Sequence, residues 1–234
     1  MAGELLTYYD DATGERVGLG AAALGEWSAA TAALLTRECG LERGSRVGVL
    51  LPPHWQTAAI LLGAWSAGME VSFRGWSAAG LMPAGPRLDA TFVDARRVGS
   101  WLDDVPPGRH QFVLGLGDGT PQPPEGYRDY PTAVRSHFGA APPDWSVAPE
   151  GTAAAGVTFG EYGTVALEVA KSRGIVAGDR VLIDAAASEE PLIWLLAPLS
   201  VGASIVLCAN LDRDRATERI ASEGVTRVFA GAAG

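Results

Sequence analysis

Short apolar runs alternate along the chain with longer ones whose apolar positions fall three and four apart, and glycines close the longer runs. Val47-Gly48-Val49-Leu50-Leu51, stopped by Pro52-Pro53, predicts a buried strand. His54 to Ala67, with Ile60, Leu61 and Leu62 inside, predicts a helix ended by Gly68, and Glu70 to Phe73 a returning strand. Strand, helix and strand on short connections form a parallel crossover unit. The unit recurs. One offset of 134 positions relates Gly44 to Gly178, Arg46 to Arg180, Gly68 to Gly202 and Gly40-Leu41 to Gly174-Ile175. The second copy predicts a strand over Arg180 to Ile183, a helix over Leu192 to Leu199 and a strand over Ser204 to Leu207. Two copies imply a pseudo-symmetric fold, since a stacked array needs about three or more.

Around these copies the pattern supplies further elements. Tyr8-Tyr9 and Arg16-Val17 flank Asp10 to Glu15 and read as a hairpin. Ala21 to about Glu38 reads as a helix with Leu24, Trp27, Leu34 and Leu35 near one face and Gly40 as its cap. Thr91-Phe92-Val93 and Gln111 to Leu116 are short strands, and Tyr130 to Phe138 a short helix within a Pro- and Gly-rich stretch. A helix from about Val157 to Lys171 is capped by Gly174, and Asp212 to Ser222 is amphipathic through Ala216, Ile220 and Ala221. Val225 to Phe229 is the last strand and matches Thr91-Phe92-Val93 with the offset changed by about one residue. The expected fold is α/β: two pseudo-symmetric lobes with mostly parallel sheets flanked by helices. Their expected bounds are 1–119 and 151–234 with a connector over 120–150, whether or not the lobes pack as one compact domain. In such sheets a ligand lies at the carboxyl ends of the strands.

Composition narrows the function classes. The chain of 234 residues has a net charge of −9 and no basic stripe, which argues against nucleic acid and anionic membrane as partners. Lys171 is the single lysine, so chemistry needing several lysines is excluded. Cys39 and Cys208 match no metal or redox spacing and read as inert thiols in a reducing cytoplasm. Met1-Ala2-Gly3-Glu4 has neither a cationic region nor a long apolar run, so no signal peptide is expected. Pro191 to Leu211 carries no charge and is long enough for a membrane span, but Pro198, Gly202 and Asn210 interrupt it. It reads as a buried helix followed by a buried strand.

Candidate chemistry is sparse. Gly18-Leu19-Gly20-Ala21-Ala22-Ala23 fits G-x-G-x-x-A, yet a hairpin rather than a parallel strand precedes it. Gly115-Leu116-Gly117-Asp118-Gly119-Thr120 follows a strand but leads into prolines where a phosphate-binding helix would start. Gly75-Trp76-Ser77-Ala78-Ala79-Gly80 is one residue too long for a nucleophile elbow. His54, His110 and His137 lie in no triad or metal motif, and no metal site is expected. Asp103-Asp104 and Glu189-Glu190 read as turns or helix starts. Arg74 and Trp76, just past the strand end at Phe73, are candidates for the rim of a ligand cleft.

The repeat also carries a resemblance. Gly40-Leu41-Glu42-Arg43-Gly44-Ser45-Arg46-Val47-Gly48-Val49-Leu50-Leu51-Pro52, then a helix ending Trp65-Ser66-Ala67-Gly68, resembles the opening of the AMP-forming acyl-CoA synthetase and adenylation superfamily. There the pattern runs "G-V-x-x-G-D-R-V-A-V-x-L-P-N … A-x-x-K-A-G-A-V-x-V-P". Gly174-Ile175-Val176-Ala177-Gly178-Asp179-Arg180-Val181 and Pro198-Leu199-Ser200-Val201-Gly202-Ala203 look like the stretch after the family's phosphate-binding loop, and Val225 to Gly231 like its next strand. The resemblance covers most of the chain and implies the N-terminal region of such a synthetase.

The departures bear on activity. The family holds ATP phosphates with a loop like "T-S-G-T-T-G-x-P-K-G", whose N–H groups and hydroxyls hold oxygens while lysine neutralises charge. Pro149-Glu150-Gly151-Thr152-Ala153-Ala154-Ala155-Gly156-Val157-Thr158 stands in its place, shortened and without lysine. The family's "Y-G-x-T-E" motif, ribose-binding aspartate and C-terminal catalytic lysine lie beyond the stretch matched here, so no residue is carried over as catalytic. The resemblance thus implies a non-catalytic, synthetase-like scaffold or regulatory protein with no expected cofactor. Alternatives are a residual binder of ATP, AMP or an acyl/CoA-like ligand, with Gly151, Thr152, Gly156 and Thr158 lining the loop, or an enzyme of another class on the same scaffold. A homo-oligomer or a protein partner covering exposed sheet is expected as well.

Overall fold

In a computed structural model of the chain, which describes residues 3–75, 87–100, 105–117, 122–143 and 147–229, the two copies of the repeat fold alike down to single hydrogen bonds. Strand β1 (Leu6–Asp10) and β2 (Glu15–Leu19) form the hairpin, followed by helix α1 (Ala21–Ala33), which ends in a π-helical turn, Leu34–Glu38. The first copy is β3 (Arg46–Leu50), α2 (Trp55–Ser66) and β4 (Glu70–Phe73). Then come β5 (Leu88–Asp94), β6 (Gly108–Leu114), β7 (Arg128–Asp129), α3 (Tyr130–Arg135), β8 (Thr152–Ala154), β9 (Val157–Thr158) and α4 (Phe159–Ser172). The second copy is β10 (Arg180–Asp184), a π turn Leu192–Leu196 running into α5 (Ala197–Ser200), and β11 (Ser204–Ala209). Helix α6 (Arg213–Ser222) and β12 (Arg227–Phe229) complete the described chain.

In the first copy the Gly44 N–H donates to Gly68 O (2.9 Å) and the Glu70 N–H to Ser45 O (3.0 Å). In the second, Gly178 donates to Gly202 O (3.1 Å) and Ser204 to Asp179 O (2.8 Å), at the same offset. Gly40, Gly44 and Gly68 have φ of 64°, 79° and 73°, and Gly174, Gly178 and Gly202 have 65°, 83° and 78°. Each turn enters the left-handed region that a Cβ disfavours, which is why the repeat is written in glycines. The third strands correspond differently from the expectation. Val47 pairs with Ala90 and Val181 with Arg227, so Phe92 answers to Phe229 and the offset there is 137. The second copy spends three more residues between its second and third strands, the connection that holds α6.

The chain divides into two compact units that interleave in sequence: Met1–Leu24 with Pro53–Ala58 and Glu161–Gly234, and Gly25–Pro52 with Ala59–Gly160. This division cuts across the expected bounds at 119, 120–150 and 151. The cause is strand pairing. The first unit's sheet has the order β12-β10-β11-β1-β2, in which β1 lies parallel to β11 with Leu6 opposite Ile205. The second unit's sheet, β4-β3-β5-β6-β7, is parallel throughout, and β7 and the β8–β9 hairpin place much of the 120–150 stretch and its sequel in that unit.

Each unit has its own core. In the second, Phe92 stacks on Phe112 (5.0 Å between ring centres, 14° between planes) and meets Tyr130 edge-on at 5.5 Å. The Tyr130 hydroxyl lies 2.8 Å from Thr31 Oγ1, so this fully buried ring carries its polar atom to a partner. Helices α1 and α2 cross at Gly63, where a Cβ would lie 2.7 Å from Ser28 O and from Thr31 Cβ. In the first unit Leu182, Val206 and Cys208 pack with Tyr9, Ile220 and Val225, and buried Trp194 donates its Nε1–H to Glu189 O at 3.2 Å. No helix among the described residues is long and apolar enough to cross a membrane.

Candidate functional site

The segment standing where a phosphate loop was expected is a closed β-hairpin. Thr152 pairs with Thr158 and Ala154 with Val157, leaving Ala155 (φ 46°) and Gly156 (φ 83°) as the two central residues of the turn. Positive φ at both is the type I′ geometry that matches strand twist, and Gly156 suits it where Ala155 does not. The backbone donors around the hairpin are engaged. The Gly151 N–H donates to Ala148 O (3.0 Å), Phe159 to Gly151 O (2.8 Å) and Gly160 to Pro149 O (2.9 Å). Strand β8 packs beside β4, and the Trp65 indole N–H donates to Ala153 O at 3.2 Å. Four of the expected site residues, Gly151, Thr152, Gly156 and Thr158, thus share one hairpin. Arg74 follows β4 in the same unit; its N–H donates to Val49 O (2.9 Å), and its carbonyl accepts from Nη1 of buried Arg97 at 2.9 Å. Trp76 lies outside the described residues, as do Asp103-Asp104.

The other motifs resolve into local structure. Strand β2, which takes in Gly18 and Leu19, is antiparallel to β1, and α1 begins at Ala21, so the parallel strand that a dinucleotide fingerprint requires is missing at that place. Gly117 (φ 85°) turns the chain after β6. Among the described residues no three His, Cys, Asp or Glu side chains group as metal ligands. Burial pushes the thiols of Cys39 and Cys208 up to about 11.

A concavity not anticipated from the sequence lies in the first unit between the β1–β2 turn and α6. It encloses about 300 Å³ and is lined by Tyr9, Asp11, Glu15, Arg16, Arg215 and Arg219 among others. Arg219, buried, holds Asp11 with two hydrogen bonds (2.9 and 2.5 Å) and stacks over the Tyr9 ring at 4.1 Å. That bond to Arg219, first of all, keeps the Asp11 carboxyl below its usual range. At its side, Glu15 Oε2 lies 4.0 Å from Nε2 of buried His54, whose Nδ1 accepts the Gln56 N–H (3.1 Å) and so caps α2. The clue in the sequence is Arg215 and Arg219, four apart on one helix face, with Asp11 at a turn; only the tertiary pairing brings them together. The charges here are already matched to one another, which makes the cleft a brace of the unit.

Comparison with known proteins places this fold. The chain has the fold of the N-terminal part of acyl-CoA synthetases. It superposes on the N-terminal domain of FACL13 from Mycobacterium tuberculosis with a TM-score of 0.69 at 16% identity, and on an acyl-CoA synthetase of Brucella canis with 0.73 at 16%. An acetoacetyl-CoA synthetase from Streptomyces lividans gives 0.68 at 20%. These matches take in 97%, 97% and 96% of this chain but 59%, 44% and 39% of theirs, so the chain spans less than two thirds of each. No family model matches. The chain belongs to the TIGR03089 family: it is 40% identical to a TIGR03089 family protein of Mycobacterium tuberculosis over 97% of its own length and 91% of that protein's.

Proposed function

We propose that this protein is a non-catalytic relative of the acyl-CoA synthetases, a binding or regulatory scaffold that keeps the paired α/β units without adenylation. The observation that carries the reading is the hairpin at 152–158. A phosphate cradle needs several backbone N–H groups free to converge on oxygen, plus a cation. Here Gly151, Phe159 and Gly160 give their N–H groups to neighbouring carbonyls, and two strands pair across the loop. The single lysine, Lys171, stands in the last turn of α4, about 18 Å along the helix from its first turn. The family supports the reading too, since the similar Mycobacterium tuberculosis protein is matched over 91% of its length by a chain that spans only part of the synthetases.

Pyrophosphate exchange with ATP, magnesium and a panel of carboxylic acids tests the proposal. The expected result is exchange no faster than the protein-free blank. Calorimetric titration with ATP, AMP and CoA covers the case of binding without turnover. Saturable heat from ATP, lost on Thr152→Ala or Thr158→Ala, would assign the hairpin and the Arg74 rim to a retained nucleotide site and overturn the scaffold reading.

A further inference from the structure

Helix α2 is capped by an imidazole, where Ser, Thr, Asp or Asn is the common choice. A ring nitrogen accepts a hydrogen bond only while it carries no proton. His54 Nδ1 takes the Gln56 N–H at 3.1 Å, and the His54 carbonyl takes the Ala58 N–H at 3.0 Å. The ring that caps α2 is therefore neutral, with its proton on Nε2. The first turn of α2 has no acidic side chain to share the task. This turn falls in Pro53–Ala58, which belongs to the first unit together with β1 and β2.

The groups around the ring favour the opposite state. Nε2 lies 4.0 Å from Glu15 Oε2, longer than a hydrogen bond but within reach of an ion pair once the ring is charged. Glu15, on β2, is held below the usual carboxylate range chiefly by His54, with burial opposing, so it stays ionised wherever an imidazole titrates. From β1, Tyr8 meets the ring edge-on with 4.3 Å between centres, and Asp10 adds negative charge near Glu15. Helix α2 itself brings Trp55, its ring centre 5.6 Å away, and no charge. His54 is 2% exposed, so Glu15 rather than water must compensate a charge on it. A cation at the cap also faces the positive end of the helix dipole. Nδ1 thus serves α2 only without a proton, whereas Nε2 serves Glu15 best when both nitrogens carry one.

We propose that His54 is a proton-operated latch on the start of α2. Neutral, it caps the helix. On taking one proton from solution at Nδ1, it gives up the Gln56 N–H and pairs through Nε2–H with Glu15, so the first turn of α2 opens while the β1–β2 turn is held. Only hydrogen bonds change, and the freed Gln56 N–H turns to water. The inference goes beyond the scaffold reading and does not depend on the hairpin at 152–158, so pyrophosphate exchange and the latch experiment succeed or fail separately.

The test is a nuclear magnetic resonance titration of the isotope-labelled full chain from about pH 8 to about pH 5, with circular dichroism at each point to show that it stays folded. The His54 ring nitrogens should report the Nε2–H tautomer at the upper end and the doubly protonated ring at the lower, with His110 and His137 giving signals of their own. Protection of the Gln56 amide, taken relative to the unstructured rate at each pH, should fall at least ~10-fold with the same midpoint, while that of Leu61 inside α2 holds. Glu15→Gln should move both midpoints to lower pH by at least ~1 unit. His54→Asn, which caps without titrating, should keep the Gln56 amide protected at both ends. A His54 ring that stays neutral down to about pH 5 in the folded chain would overturn the proposal, as would a proton on Nδ1 at about pH 8. So would an unmoved midpoint in Glu15→Gln, or an equal fall of Gln56 protection in His54→Asn. The unsubstituted chain alone decides the first two points, so a variant that fails to fold leaves the test standing.

Discussion

Glu223 is the side chain on which the first unit's charged network converges, and removing it tests the energetics read from the structure. It caps the end of α6 with its carboxyl 10% exposed. It accepts from the Tyr9 hydroxyl (2.5 Å), from Arg16 Nη2 (3.1 Å) and from Arg180 Nη2, so β1, β2 and β10 all tie to it. Burial pulls its pKa up, but the Tyr9, Arg180 and Arg16 hydrogen bonds together outweigh burial and hold it at about 2. An unfolded glutamate titrates near 4.3. The depressed value therefore contributes stability that is complete above about pH 4.3 and is lost as pH falls through about 2. A depression of that size corresponds to ~3 kcal/mol at neutral pH. The direct count agrees: two charge-assisted bonds of ~1.5 kcal/mol each, with Arg16, 45% exposed, adding little. Glu223→Ala should cost about 3 kcal/mol and Glu223→Gln about 2 kcal/mol in urea unfolding followed by circular dichroism at pH 7. Repeated near pH 2, the Glu223→Gln difference should fall below ~1 kcal/mol. A loss under ~1 kcal/mol at pH 7, or an equal loss at both pH values, would refute the reasoning.

Three further outcomes follow from local geometry. Gly63→Ala gains ~1 kcal/mol of helix propensity but sets a Cβ 2.7 Å from Ser28 O, so it should still lower stability by about 1 kcal/mol, and Gly63→Val by about 3 kcal/mol, in thermal melts. Ala155→Asn, which tolerates the positive φ of 46° in the β8–β9 turn, should raise stability by about 0.5–1 kcal/mol; a loss would mean that the turn is not held in this form. Cys39 and Cys208, pushed up to about 11 by burial, should react with an aromatic disulfide reagent at pH 8 at least ~100-fold more slowly in the native chain than in urea.

What could be read from the residues was whatever the chain encodes locally. The hairpin, both Gly-x-Arg-Val strands and the helices behind them are announced by glycines at left-handed turns and by apolar periodicity, and they lie where expected. Strand β6 begins at Gly108, ahead of the expected Gln111, because Gly108 and His110 pair with β5 in the sheet without being apolar. The π turns at Leu34–Glu38 and Leu192–Leu196 have no signature that separates them from ordinary helix. The expected site residues of the candidate loop lie in one segment whose pairing into a hairpin was not visible, since Thr152-Ala153-Ala154 has little strand character of its own and owes its place to β9 and to Trp65. Least visible was the brace of Tyr9, Arg16, Arg180 and Glu223, whose members come from opposite ends of the chain.

The parallel pairing of β1 with β11, Leu6 against Ile205, imposes an order on biosynthesis. As the chain leaves the ribosome, the second unit's strands β3 to β7 are all available by the time Asp129 has emerged. The hairpin made first must wait, with one edge open, until β11 has emerged. Vectorial synthesis thus leaves β1 without its parallel partner for some ten seconds or more at ordinary elongation rates. Refolding from denaturant, where both ends are present at once, is free of that delay, and the two routes should differ most in the fate of residues 6–19.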